Sequence, residues 1–156
     1  MISGSLLRTI MAEAVDPFHP ENLDETSLDV TLADTVYRQR TPHSQPIIDL
    51  ADPPDSDILF EKVSMASNKG EYLMRPGEFV KGRLQEYIKM PRDMAAMFSL
   101  RSCIAQTGLE QSTSVWIRPE WEGNLVLELT NFSNKMIRLS PGLRIGQLHF
   151  LSLKGY

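Results

Sequence analysis

Two tripeptides, Arg75-Pro76-Gly77 and Ser140-Pro141-Gly142, set the tightest limit on how this 156-residue chain can fold. Proline presets φ at the second residue of a tight turn and glycine tolerates positive φ at the third, so both read as type II turns. Each follows a short apolar run, Glu71-Tyr72-Leu73-Met74 or Met136-Ile137-Arg138-Leu139, and each leads into an apolar strand that carries a glycine, Gly82 or Gly146. Such an echo belongs to stacked hairpins and not to a solenoid repeat. Ser27-Leu28-Asp29-Val30-Thr31-Leu32 alternates polar and apolar residues, as a half-buried strand does. Many short strands with turn signals between them predict a mostly β sandwich or distorted, jelly-roll-like barrel.

Helices are expected to be few. Leu6, Leu7, Ile10 and Met11 recur at helical spacing, which predicts a short N-terminal helix ending near Val15, with Ser3 or Ser5 as its cap. Asp16-Pro17-Phe18-His19-Pro20-Glu21-Asn22 follows as a turn-rich stretch held extended by two prolines. Residues 91–98 predict a second short helix, with Pro91 in its first turn and Met94, Ala95, Met97 and Phe98 on its apolar side. Residues 39–69 hold Pro42, Pro46, Pro53 and Pro54 and predict surface loops with one or two short strands.

A 42% hydrophobic and 23% charged composition fits one globular domain over residues 1–156. The net charge of -4 argues against non-specific nucleic-acid binding, which rests on clustered cations. The single cysteine, Cys103, excludes an intrachain disulfide and a cysteine-built zinc site; lacking a local partner, it reads as a small buried hydrophobe and not a nucleophile. His19, His43 and His149 show no ligand spacing, and His149 reads as a satisfied strand histidine. Asp49, Asp52, Asp55 and Asp57 lack the glycine and final glutamate of an EF-hand and flank Pro53-Pro54, so they read as a solvated loop. No apolar run is long enough to span a bilayer and the first residues do not form a signal peptide, so a soluble, cytoplasmic protein without membrane partners is expected.

Two segments could carry chemistry. In Asn124-Leu125-Val126-Leu127-Glu128-Leu129-Thr130-Asn131 the leucines share one face and Glu128 points to the other. It is either a general base lining a pocket, its carboxylate tuned by partial burial, or a glutamate on a solvated outer face. In Ser99-Leu100-Arg101-Ser102-Cys103-Ile104-Ala105-Gln106-Thr107-Gly108-Leu109, a guanidinium, a hydroxyl and nearby amides suit phosphate oxygens. Arg101 could equally pair with a structural carboxylate. Trp116 and Trp121 could stack on a base, although packing is the commoner role.

These segments together resemble the dCTP deaminase branch of the dUTPase superfamily, in order and over nearly the whole chain. Residues 16–23 and 27–32 are similar to the family's "DPFxPENL…SVDLRL" block. Leu73-Met74-Arg75-Pro76-Gly77-Glu78-Phe79 resembles "hxPGEF", and Arg101 to Leu109 resembles "RSSLARLGL". Ile117-Arg118-Pro119-Glu120-Trp121-Glu122-Gly123 is similar in part to "IDPGWxG". Leu127 to Asn131 resembles "LELxN", and Pro141 to Leu148 resembles "PGMxIGQL".

The resemblance implies a distorted β-barrel that forms homotrimers, with deoxynucleoside triphosphate sites between subunits and Mg2+ accompanying the triphosphate, without zinc. It assigns Glu128 to activate the water that attacks C4 of cytosine. It places Arg101 and Ser102, with Cys103, Gln106 and Arg118, at the nucleotide. Three of these positions, and Glu120 beside them in sequence, depart from the pattern. Gln106 replaces a second arginine, Cys103 a second serine, Arg118 an aspartate, and Glu120 the glycine after the proline. The segment between Leu109 and Ile117 is one residue shorter than usual, and the chain stops at Tyr156, where family enzymes carry a tail that closes over the nucleotide. The resemblance therefore implies hydrolytic deamination of dCTP to dUTP with Glu128 as base. The alternative is a catalytically lapsed homologue that binds, senses or sequesters a nucleotide or contacts a partner protein. A dUTP pyrophosphatase ranks behind both, because Arg118 stands where its water-organising aspartate would.

Overall fold

The computed structural model describes residues 4–40, 47–112, 114 and 116–153. Ser3, Pro42, His43, Pro46 and Tyr156, named above, lie outside the described residues. The chain opens with helix α1 (Gly4–Ala14), whose Leu7, Met11 and Ala14 recur at i, i+4 and i+7 and are buried against the sheet. Ser5 lies inside the first turn, not at the cap; its carbonyl accepts from the Thr9 hydroxyl. Strand β1 (Val15–Asp16) and a 3-10 turn (Pro20–Asn22) follow, and then β2 (Ser27–Gln39). The expected strand over residues 27–32 thus continues for seven more residues.

Among the described residues of 39–69 are a short helix, α2 (Ser56–Leu59), and a strand, β3 (Phe60–Ser64). Strands β4 (Tyr72–Met74) and β5 (Phe79–Lys89) come next, then β6 (Met94–Leu100), the single-turn helix α3 (Ser102–Ala105), β7 (Leu109–Gln111) and β8 (Trp116–Ile117). Strands β9 (Glu122–Asn131), β10 (Ile137–Leu139) and β11 (Arg144–Ser152) complete the described elements. A nine-stranded sheet runs in the order β7-β9-β5-β2-β11-β6-β8, with β1 added on β5 and β3 on β2. The sheet curls into a half-barrel around one apolar core in which Leu32, Leu84, Leu127, Leu148 and Phe150 are fully buried.

Both Pro-Gly turns are as expected. Gly77 has φ 75 and Gly142 φ 78, values that glycine adopts without strain. The echo in sequence has a structural counterpart: β4 turns into β5, β10 turns into β11, and β4 and β10 pair antiparallel as a separate ribbon. Fully buried Asn131 ties that ribbon to the main sheet. Its amide nitrogen donates to the carbonyls of Met74 (3.2 Å) and Lys135 (2.8 Å), and its Oδ1 accepts from the Ser133 amide and hydroxyl.

The helix expected over residues 91–98 is absent. Pro91 begins only a turn, closed by the Met94 amide on the Pro91 carbonyl, and residues 94–100 form β6. Met94, Ala96 and Phe98 alternate inward while seven consecutive rungs join β6 to β11. Buried Ala95 and 41% exposed Met97 add apolar residues on the other face, so the run lacks strict alternation and mimics a helical stripe.

Candidate functional site

The end of β6 builds the most highly charged cluster. The Arg101 amide donates to the Ile145 carbonyl (3.1 Å), which fixes the point where β6 leaves β11 and α3 begins. From there the Arg101 Nη1 reaches to 3.7 Å from Oδ2 of Asp29 on β2. Arg144, at the start of β11, places its own Nη1 3.7 Å from the same oxygen. Gln147 Nε2 donates to Asp29 Oδ1 at 2.9 Å. The Asp29 side chain is only 12% exposed, whereas those of Arg101 and Arg144 are 33% and 51% exposed. One carboxylate is thus shared by two cations. At 3.7 Å these are ion pairs without hydrogen bonds, so most of the ten N–H donors of the two guanidinium groups remain turned to solvent. The result is a surface with excess positive charge and convergent donors, suited to a polyanion.

Arg101 pairs with a carboxylate, one of its two expected roles, while one third of its side chain stays exposed. Ser102 and Gln106 are exposed on either side of the α3 turn, and the Gln106 amide closes that turn on the Ser102 carbonyl (3.0 Å). Cys103 is exposed, contrary to the expected burial, because in a single helical turn Ile104 is the residue that packs on the core. Asp29, Arg144 and Gln147 escaped the sequence reading. Their signal was present as the polar members of alternating strands, Ser27-Asp29-Thr31 and Gln147 within Ile145-Gly146-Gln147-Leu148.

Glu128 lies elsewhere. Three strands, β5, β2 and β11, stand between β9 and β6 in the sheet. Glu128 is half-buried on the face opposite Leu127 and Leu129, as the alternation required, and its rung partner on β5 is Lys81. The Lys81 amine leans towards α2, 2.8 Å from Ser56 Oγ and 3.8 Å from the centre of the Phe60 ring. On the other side the Ser112 amide donates to the Glu128 carbonyl (2.9 Å), so β9 is held along both edges here. Residues 101–108 lead from β6 to β7, which pairs with β9.

Arg118 is exposed in the turn after β8. Ile117 pairs with Ala96 in an antiparallel ladder, which sets Arg118 level with Ala95, six residues before Arg101 and about 20 Å along β6 from that cluster. Glu120 in the same turn has φ 59, a left-handed conformation that costs a side-chain-bearing residue energy. Glu120→Gly is expected to stabilise the fold by about 1 kcal/mol, read as a higher calorimetric melting temperature; a lower one would show that the glutamate side chain makes a compensating contact. His149 is satisfied, with Nε2 3.2 Å from Ser99 Oγ. Trp121 packs on the core while Trp116 is 48% exposed.

A cleft of about 610 Å³ opens beside β3, lined in part by Arg38, Lys62, Ser64 and Tyr72. It includes none of the residues expected at a site, and Arg38 in it is compensated: it binds Glu61 and stands near Glu78. The tyrosine hydroxyl there is pushed up by burial and by its hydrogen bond to Glu78. We therefore place the site at the Asp29 cluster, on chemistry and not on volume.

Among the described residues, no helix is long and apolar enough to cross a membrane. A family described as dCTP deaminase-like matches residues 1–153. A dUMP-forming dCTP deaminase of Tropheryma whipplei (strain Twist) is 36% identical over 140 residues, covering 89% of this chain and 69% of the relative. One from Clavibacter michiganensis subsp. michiganensis is 38% identical over 143 residues, covering 90% and 68%. Among solved structures, the 2'-deoxycytidine 5'-triphosphate deaminase of Agrobacterium tumefaciens superposes with a TM-score of 0.73 at 20% identity over 96% of this chain, a likeness of fold. This chain spans about half of that protein, 47% of its length. The half-barrel, the ordered segments and two relatives above one-third identity agree, and the chain belongs to the dCTP deaminase-like family.

Proposed function

We propose that the protein binds dCTP and deaminates it hydrolytically. The observation that carries this reading is the pair of guanidinium groups, Arg101 and Arg144, converging on a single buried carboxylate in a chain whose relatives are named dCTP deaminases. The triphosphate would lie against Arg101, Arg144 and the Ser102 hydroxyl, with Gln147 and Asp29 fixing the guanidinium spacing. Mg2+ would enter with the nucleotide, held mainly by phosphate oxygens, as that ion prefers, with Asp29 as the carboxylate this cluster offers.

Glu128 would act at the base. Its carboxylate takes a proton from water, the hydroxide adds to C4 of cytosine, and the proton passes to N4 as ammonia leaves. dCTP and water give dUTP and ammonia, and the general base accounts for about 10²–10⁴-fold of the rate. Because Glu128 and Arg101 stand in different halves of one chain, a complete site is best supplied by two copies, with Arg101 of one copy facing Glu128 of the next. A homotrimer closes such a head-to-tail contact without leaving free ends.

The relatives' names support a second step, hydrolysis of dUTP to dUMP and pyrophosphate. Incubating the protein with dCTP and Mg2+, with ammonia measured and products separated by ion exchange, tests these readings together. Ammonia with dUTP supports deamination alone, and ammonia with dUMP and pyrophosphate adds the second step. Absence of ammonia at high protein concentration would overturn the proposal.

A further inference from the structure

Glu86 is a carboxylate in the interior of the fold. It lies on β5, is 2% exposed, and its three hydrogen bonds all come from one residue, Thr31 on β2. The Thr31 amide donates to both carboxylate oxygens, at 3.0 and 2.9 Å, and the Thr31 hydroxyl donates to Oε1 at 2.7 Å. No cation lies within ion-pair distance among the described residues. An unpaired buried charge is costly and is tolerated only where hydrogen bonds satisfy it. Replacing it by an apolar residue would leave the buried Thr31 amide and hydroxyl without this acceptor.

The location of the clamp supplies a reason for it. Thr31 is where β2 changes neighbours. Up to Thr31 it pairs with β11, with Arg144 as the rung partner of Thr31, and from Leu32 onward it pairs with β5. Both ladders are irregular here, with a register shift between Arg144 and Gly146 on β11 and another between Leu32 and Val36 on β2. Irregular ladders hold register weakly by themselves. Asp29, two residues before Thr31, shares its face of β2. A clamp on Thr31 thus acts on two members of the charged cluster, Asp29 along the strand and Arg144 across the rung.

We propose that Glu86 is a positioning residue for the anion site: by clamping Thr31 it sets where Asp29 and Arg144 stand, and with them the spacing of the guanidinium groups offered to a triphosphate. The inference rests on reading that cluster as a triphosphate site.

Calorimetric titration of the full chain with dCTP and with inorganic tripolyphosphate tests it, at a temperature well below each variant's melting transition. Glu86→Gln keeps the size but turns an amide nitrogen towards the Thr31 donors; Thr31→Val removes the hydroxyl, and Thr31→Ser restores it. Both Glu86→Gln and Thr31→Val are expected to weaken tripolyphosphate binding by about tenfold or more, as losing an orienting partner does at other charged sites. Thr31→Ser is expected to bind as the wild type does. Should Glu86→Gln fail to fold, the Val and Ser pair at position 31 decides. Lower melting temperatures with unchanged affinity would make Glu86 a stability element only and overturn the proposal. Wild-type protein that binds neither probe would remove the triphosphate reading itself, and this inference with it.

Discussion

Glutamine in place of Glu128 is expected to cut ammonia release from dCTP by about 10²–10⁴-fold, the range that a positioned general base contributes. Nucleotide affinity is expected to stay close to that of the wild type. Glutamine has the same shape and keeps a carbonyl oxygen, but it cannot take a proton from water. The strand should not move, because β9 is held to Lys81 on one side and to the Ser112 amide on the other. The effect should therefore fall on kcat with KM little changed, the signature of an interaction made only in the transition state. Single-turnover ammonia release together with calorimetric binding of dCTP separates the two quantities. A variant that keeps more than a small part of the wild-type rate would move the base elsewhere.

Alanine at Gly146 is expected to be the most damaging change of a single methyl group. Its Cβ would stand 2.2 and 2.3 Å from two carbons of the Phe98 ring and 2.7 Å from the Ser99 carbonyl oxygen. The ring is 2% exposed and has nowhere to go, and the carbonyl belongs to the β6–β11 ladder. Overpacking of this kind costs about 3 kcal/mol at the upper end of its usual range, to be read from the midpoint of urea unfolding. Gly146 also lies between Ile145, which accepts from the Arg101 amide, and Gln147, which donates to Asp29. Loss of affinity for tripolyphosphate should therefore accompany the loss of stability. Adding Phe98→Leu should recover part of both, because the two positions are in contact and their effects should not add. Strict additivity would show that the clash is relieved by some other movement.

What the sequence disclosed depended on how local the cause was. The turns at Pro76-Gly77 and Pro141-Gly142 are decided by their own residues and could be read directly. Residues 91–98 could not, because Met94, Ala95, Met97 and Phe98 satisfy a helical stripe and a buried strand equally well. Pairing with residues 146–152, far along the chain, decides for the strand. Cys103 was misplaced because neighbours in a single helical turn differ in burial, and nothing local marks Ile104 as the inward one. Ordered resemblance drew attention to Arg101 and Ser102, which lie at the charged cluster, and to Glu128, which lies on β9 away from it. Asp29, Arg144 and Gln147 were not legible, since each is an ordinary polar residue of an alternating strand until β2 and β11 lie side by side. Glu86 left still less trace, because a glutamate in a strand gives no hint that it accepts hydrogen bonds from a threonine on a neighbouring strand.

The bond between Gln147 and Asp29 joins residues 118 positions apart. Closing so distant a contact costs the loop entropy of the intervening chain. The charged cluster cannot assemble before β11 has been made and lies beside β2. A triphosphate can then act only on the finished fold. It should stabilise the native state by mass action and slow unfolding, while leaving the refolding rate unchanged.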